Sequence, residues 1–279
     1  MSGTAAIPRA AVRAQCEESI PCPICAAPGH RSFESCFVEV HQCENAQCAH
    51  LFAIGVGAQH GVMHALGADF EESAYAERNE RLVAFWQDRR FVSGNSKLLD
   101  VGAGTGHLAR SLRTRLPAID IHCVEESDLL RERLERDGFA VSKSLDSMPP
   151  GHSFHAVLLI EVIEHVDDPV DFLARLKGHL EPDGRIFLTT PCGELRNGSR
   201  TTNAYDTPEH IQFFTERSLQ TAVENAGYRG IACEYIEALY PRGAGAGRGG
   251  PFRRIATRIA KPLLATLQGP RHLTGFIEP

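Results

Sequence analysis

An α/β fold is predicted by three features of this sequence: a mainly parallel sheet with helices on both faces, behind a small cysteine-bearing module. Short apolar runs alternate with amphipathic segments from residue 97 to residue 240. Such alternation reads as successive βα units, whose crossovers cover both faces of a parallel sheet. The first of these runs ends in a glycine-rich turn that opens a helix. Six of the nine cysteines fall within the first 48 residues.

The elements follow in chain order. Residues 1–19 read as a flexible N-terminus. Residues 20–54 combine paired cysteines, short β-like runs and turn residues, and form the module. Residues 55–68, with Gly55, Gly57, Gly61 and Gly67, read as a linker into a domain spanning 69–279. Residues 69–92 have helical spacing, with Tyr75, Leu82, Phe85 and Trp86 as the buried positions. Strands are expected at 97–101, 119–125, 153–162, 185–191, 230–240 and 272–277, with a turn at 182–184. Helices are expected at 107–116, 127–138, 169–180 and 215–228, the second stopped by Gly138 and the last capped by Thr215. Between the last two strands, 241–271 reads as a basic insertion: a Gly-rich hinge, then an amphipathic helix over 252–268 with a kink at Pro262.

Composition narrows the function classes. The chain has 279 residues, 43% hydrophobic and 23% charged, as in soluble globular proteins. It holds no run of 18 apolar residues, so no membrane span is expected. The first residues lack the apolar core of a secretory signal, which places the protein in the cytoplasm. The net charge is -6, but residues 241–279 hold seven basic residues against one acid and leave -12 on residues 1–240. An acidic body argues against a broad nucleic-acid face.

Without a secretory signal, clustered cysteines read as metal ligands before disulfides. Cys22-x2-Cys25 and Cys43-x4-Cys48 supply two pairs separated by seventeen residues, the ligand set of a closed, structural tetrahedral zinc site. Cys36, His41 and His50 are possible substitutes, and four reduced thiols without metal are the plain alternative.

The run LLDVGAGTGHLA (98–109) carries Gly102, Gly104 and Gly106 between strand and helix. Glycines there permit a tight turn and close approach by a ligand, beside the free N–H groups of a helix N-terminus. His107 stands where a dinucleotide fingerprint needs glycine. The G-x-G-x-G spacing behind Asp100 resembles motif I of class I S-adenosylmethionine-dependent methyltransferases. Glu125 ends the second strand, where that family places the acid for the ribose hydroxyls. Residues 154–191 resemble its fourth strand, next helix and fifth strand. The stretches EVIEHVDDP (161–169) and PEHIQFFT (208–215) are similar to the ubiquinone-biosynthesis-type O-methyltransferase subgroup. The resemblance covers about residues 70–240. It implies a Rossmann-like seven-stranded sheet ending in an antiparallel hairpin, with S-adenosylmethionine held by Asp100, Gly102, Ala103, Gly104, Gly106, Glu125, Glu126, Ile160 and Glu161. One departure is His155, where the family usually has Asp after Phe. The cysteine module resembles the N-terminal zinc ribbons of several methyltransferase groups.

Methyl transfer to a hydroxyl needs alignment in a dry pocket and a group to take the proton. Of the 13 histidines, His165 and His210 follow strands whose carboxyl ends face a ligand crevice in open α/β sheets, and they are the candidate bases. Glu161 and Glu164 lie near His165 in sequence. The expected acceptor is a small molecule, lipid precursor or sugar. Base methylation of rRNA, sugar C-methylation and a non-catalytic cofactor-binding scaffold are the alternatives. For 252–268, three readings stay open: a lid over the substrate, a helix approaching anionic lipid, and a packed surface helix.

Overall fold

The computed structural model of the chain describes residues 19–35, 38–54, 78–196, 199–200, 203–206, 209–235 and 272–279. The expected linker at 55–68, the basic insertion 241–271 with the helix expected at 252–268, and residues 1–18, Cys36 and Tyr75 lie outside the described residues.

The module contributes β1 (Ile20–Pro21), β2 (Pro28–Glu34), β3 (Glu39–Cys43) and β4 (Leu51–Ala53), all paired antiparallel. A helix over 78–88, α1, carries Leu82 and Trp86 into the core. The βα units follow: β5 (Lys97–Val101), α2 (His107–Arg115), β6 (Asp120–Val124), α3 (Asp128–Arg136), β7 (Ala140–Ser142), β8 (Phe154–Ile160), α4 (Pro169–Lys177) and β9 (Leu180–Pro191). After β9 come the short pair β10 (Leu195–Arg196) and β11 (Ser199–Arg200), then β12 (Gln212–Phe213), α5 (Glu216–Asn225), β13 (Gly230–Tyr235) and β14 (His272–Glu278).

Seven strands form one sheet in the order β13-β14-β9-β8-β5-β6-β7. The five strands from β9 to β7 are parallel, and β14 runs antiparallel to both β9 and β13. This is the seven-stranded arrangement with a terminal antiparallel hairpin that the motifs implied. Strand alternation divides the core between the faces. Leu98 in β5 and Leu158 in β8 pack with Trp86, Leu108, Leu112 and Leu134. Their neighbours Leu99 and Leu159 pack with Leu173, Leu176, Leu219 and Val223.

Local signals account for the helix starts. Asp168 caps α4 by accepting from Asp171 N–H at 2.9 Å, with Pro169 in the first turn. Thr215 caps α5 in a reciprocal box with Ser218. The expected turn at 182–184 is absorbed into β9. Phe154 pairs with Leu180 but Ala156 with Arg185, so the residues between them bulge out of an otherwise continuous strand. His155 does structural work at the departure position. Lys97 N–H donates to its Nδ1 at 3.1 Å, and its Nε2 faces Glu181 at 3.1 Å.

The module is stitched to the larger domain. β12 completes the module sheet in the order β1-β2-β3-β4-β12. Asn225 in α5 donates to the Ile24 carbonyl at 2.8 Å, and Arg217 donates to that of Ala46 at 2.7 Å.

Candidate active site and cysteine centre

A cavity of about 830 Å³ opens at the carboxyl ends of β5, β6 and β8. The crevice beyond the strand ends is where open α/β sheets bind ligands. Of the nine residues expected to hold the cofactor, Asp100, Gly102, Ala103, Gly104, Glu125, Glu126, Ile160 and Glu161 line it. Gly106 is not among the lining residues. It starts α2 at φ 79°, and a Cβ there would meet Leu134 Cδ2 at 2.5 Å, so close helix packing requires glycine.

The loop after β5 is built around Glu125. Its carboxylate accepts from Gly104 N–H at 2.8 Å and from Ser127 N–H at 2.9 Å. One oxygen serves each amide, which leaves each oxygen a second lone pair for a ligand. At Gly104, φ is 55° and the nearest atom to an added Cβ is Gly102 O at 4.0 Å, so the space beside it is open.

Asp100 is buried, and its Oδ2 has no hydrogen-bond partner. Burial pushes its carboxyl up to about 7, the Glu125 charge adds to this, and Arg78 pulls it back. Arg78 also lines the cavity. Motif spacing did not single it out, since it lies on α1, outside the βα repeat.

At the far side, Glu161 and Glu164 flank the turn after β8. Glu161 sits at φ 57°, accepts from Thr189 Oγ1 at 2.6 Å, and meets His272 Nε2 at 3.2 Å. Burial opposes its ionisation, yet His272, Thr189 and Arg78 together hold its carboxyl below the ordinary range. Glu164 is driven the other way, well above that range, by burial and the Glu161 charge. The two carboxylates thus shift in opposite directions, Glu161 towards the ionised form and Glu164 towards the protonated one. His272, at the start of β14, was invisible to sequence reasoning because it follows the basic insertion.

The two candidate bases are adjacent, with ring centroids 4.9 Å apart. His165 lines the cavity, whereas His210 is buried against it. Each Nδ1 donates to a backbone carbonyl, Glu209 at 3.0 Å and Ala204 at 2.8 Å. These bonds fix the tautomer and make Nε2 the basic nitrogen of each neutral ring. Burial lowers the His210 pKa. Glu164, His165 and His210 each offer a ligand atom within 4.8 Å of the others.

In the module, Cys22, Cys25, Cys43 and Cys48 also bring their sulfurs within 4.8 Å of one another. The Cys22–Cys48 separation is 3.9 Å and that of Cys25–Cys43 is 3.4 Å. A tetrahedral zinc with Zn–S near 2.3 Å needs sulfurs about 3.8 Å apart. The hydrogen bond from Cys48 draws the Cys22 thiol down to about 5, while burial pushes Cys43 up to about 12. His41 and His50 are engaged elsewhere, on Glu39 and Gln212.

Comparisons with known proteins agree with this geometry. The methyltransferase domain profile matches residues 70–232, more than half of the chain. A ubiquinone biosynthesis O-methyltransferase of Pseudomonas aeruginosa is 29% identical over 113 residues, 38% of this chain and 48% of that protein. A mitochondrial enzyme of the same name from Schizosaccharomyces pombe is 29% identical over 123 residues, 40% of this chain and 44% of that one. The chain therefore spans about half the length of the curated relatives it matches. A SAM-dependent methyltransferase from Archaeoglobus fulgidus superposes with a TM-score of 0.52 at 20% identity, over 75% of this chain and 98% of that one. The [4+2]-cyclase SpnF superposes with a TM-score of 0.51 at 18% identity, over 71% and 80%. A likeness at this identity carries the fold alone. From the profile match over more than half its length, this chain belongs to the methyltransferase domain family.

Proposed function

We propose that the chain transfers the methyl group of S-adenosylmethionine to a hydroxyl of a small molecule. The observation that carries this reading is the cavity itself. Open space beside Gly104, an anchored Glu125 and a buried Asp100 oxygen lacking any partner stand along one wall. That donor set fits the cofactor. Glu125 keeps lone pairs for a ribose diol, Asp100 suits a cationic amino group, and the Arg78 guanidinium suits a carboxylate. S-adenosylmethionine, when bound, supplies a methyl group already activated by its positive sulfur. The residues then have to orient the acceptor, exclude water and remove one proton. His165 Nε2 is the basic nitrogen at the cavity wall and takes that proton. His210 packs against it, and Glu164, whose ionisation burial and the Glu161 charge disfavour, stands beside the pair. Transfer to oxygen is favoured by the EVIEHVDDP stretch and by the likeness to the ubiquinone biosynthesis O-methyltransferases.

Calorimetric titration with S-adenosylhomocysteine, with NAD as control, tests the cofactor assignment. Micromolar binding of the first and none of the second is expected, and no binding of the first would move the scaffold reading forward. Asp100 gives a pH signature. It ionises as pH rises through about 7, so a cationic ligand group gains its partner there. Affinity for S-adenosylhomocysteine should rise from about pH 6 to about pH 8, and Asp100→Asn should flatten the profile. Glu125→Gln should weaken binding about tenfold to a hundredfold, because its amide cannot accept from both backbone N–H groups and serve the diol. An unchanged Kd in that variant would displace the ribose from Glu125.

The four cysteines bind zinc in our reading, as a structural centre with all four positions filled by protein. Among the described residues, no helix is long and apolar enough to cross a membrane. A reducing compartment such as the cytoplasm would keep the thiols available to metal.

A further inference from the structure

β12 belongs to two neighbourhoods at once. Its backbone pairs with β4, Gln212 opposite Phe52 and Phe213 opposite Leu51, and Ala53 N–H donates to the Ile211 carbonyl at 2.8 Å. On the other side, Ile211 N–H donates to the Glu164 carbonyl at 2.9 Å. The Gln212 side chain repeats this bridge. Its Nε2 donates to the carbonyls of Val166 at 2.9 Å and Asp167 at 3.3 Å, and its Oε1 accepts from His50 Nε2 at 2.8 Å. Carbonyls only accept, so the amide has one orientation, and His50 must carry its proton on Nε2.

His50 is fully buried two residues beyond Cys48, stacked on Phe52 at 6.1 Å and tilted against Phe214 at 5.0 Å. Its own carbonyl accepts from Cys43 N–H at 2.8 Å. A continuous path of hydrogen bonds and short chain segments, buried at His50 and Gln212, therefore runs from two of the cysteines through these side chains. It ends at the turn that carries Glu164 and His165. The Gly102–Gly104 loop and Glu125 are not on this path.

We propose that Gln212 is a positioning residue for the acceptor side of the cavity, tying the turn that bears His165 to the cysteine module. The module's fold then sets where that imidazole stands, while the cofactor side is built independently. This rests on His165 being the acceptor-side group, as argued above. Its consequence is a split: damage to the module should loosen His165 and spare cofactor binding.

The test uses full-length protein loaded with zinc, or with cobalt as a spectroscopic substitute. Gln212→Met removes all three side-chain bonds at nearly constant volume. His50→Phe removes one and keeps the stacking. In both variants, amide exchange over 163–167 and 209–214 should rise about tenfold, the equivalent of one buried hydrogen bond. The His165 ring Cε1–H resonance should move. Exchange over 98–108, affinity for S-adenosylhomocysteine and, in Gln212→Met, the cobalt–thiolate absorption should hold. An unmoved His165 resonance together with unchanged exchange over 163–167 overturns the proposal. If neither variant folds, native-state exchange of the wild type decides. Chelating the metal should open 51–53, 209–214 and 163–167 in one event while 98–108 stays protected, and independent opening of these segments overturns it. Failure of the wild type to bind S-adenosylhomocysteine is a separate result, against the cofactor reading only.

Discussion

Gly104→Val should abolish detectable binding of S-adenosylhomocysteine while leaving a folded protein. The position is unusually clean for such a test. An added Cβ meets no protein atom nearer than Gly102 O at 4.0 Å, so the isopropyl group fills cavity space that the ligand needs. Neighbouring glycines would confound the experiment. A Cβ at Gly102 would strike Val162 Cγ2 at 2.7 Å, and one at Gly106 would strike Leu134 Cδ2 at 2.5 Å. Valine at φ 55° also carries backbone strain of about 1–2 kcal/mol. Gly104→Ala shares that strain with less bulk and serves as the control. It should lower the melting temperature as the valine does but retain weak binding. Calorimetry and thermal melts on the three proteins separate the two effects. Full affinity in Gly104→Val would remove the ligand from this loop.

Loss of the metal should be the second large effect. Four thiols this close cannot all ionise without a cation, because four negative charges would crowd into one cluster. A dication removes the remaining protons, so metal binding is coupled to proton release and weakens as pH falls. Structural zinc in small modules is worth about 10–16 kcal/mol at neutral pH, which exceeds what four short strands with little apolar area can supply. A chelator, or Cys48→Ala at a fully buried member of the cluster, should therefore unfold residues 20–54. Limited proteolysis would detect cleavage there, together with about one zinc per chain lost by elemental analysis. A protease-resistant module after complete metal removal would show that packing alone holds it.

Much of this architecture was legible in the sequence because it rests on local periodicity. Leu98 and Leu99, or Leu158 and Leu159, face opposite layers, and such runs between amphipathic helices leave few alternatives to a parallel sheet. The places of Gly102, Gly104 and Glu125 on the cavity wall were legible, the glycines from turn chemistry and Glu125 from the family resemblance. Three features were not. β12 is two residues long and carries no period, so its pairing with β4 could not be read. The Glu161–His272 contact joins positions on either side of the basic insertion. Arg78 reaches the cavity from a helix before the first β–α unit. Each is a tertiary contact with no local signal, and of these residues Arg78 and Glu161 line the cavity. The same reason explains the expected turn at 182–184. Leu180 and Arg185, on either side of them, both pair with β8, so residues with turn propensity are carried as a bulge within a long strand.

The register of the last two strands has a consequence for how this protein can change. Tyr235 lies opposite Leu273, and the chain between them joins two neighbouring antiparallel strands. No crossover must be spanned and no helix must be accommodated, so the sheet dictates nothing about the length of that connection. The entropy of closing a loop grows only with the logarithm of its length, about 0.6 kcal/mol per doubling. Whole segments can therefore be lost, gained or exchanged at 241–271 with little effect on the stability of the sheet. The hairpin is a socket in which related chains can evolve different appendages, and experimenters can graft them, beside one constant sheet.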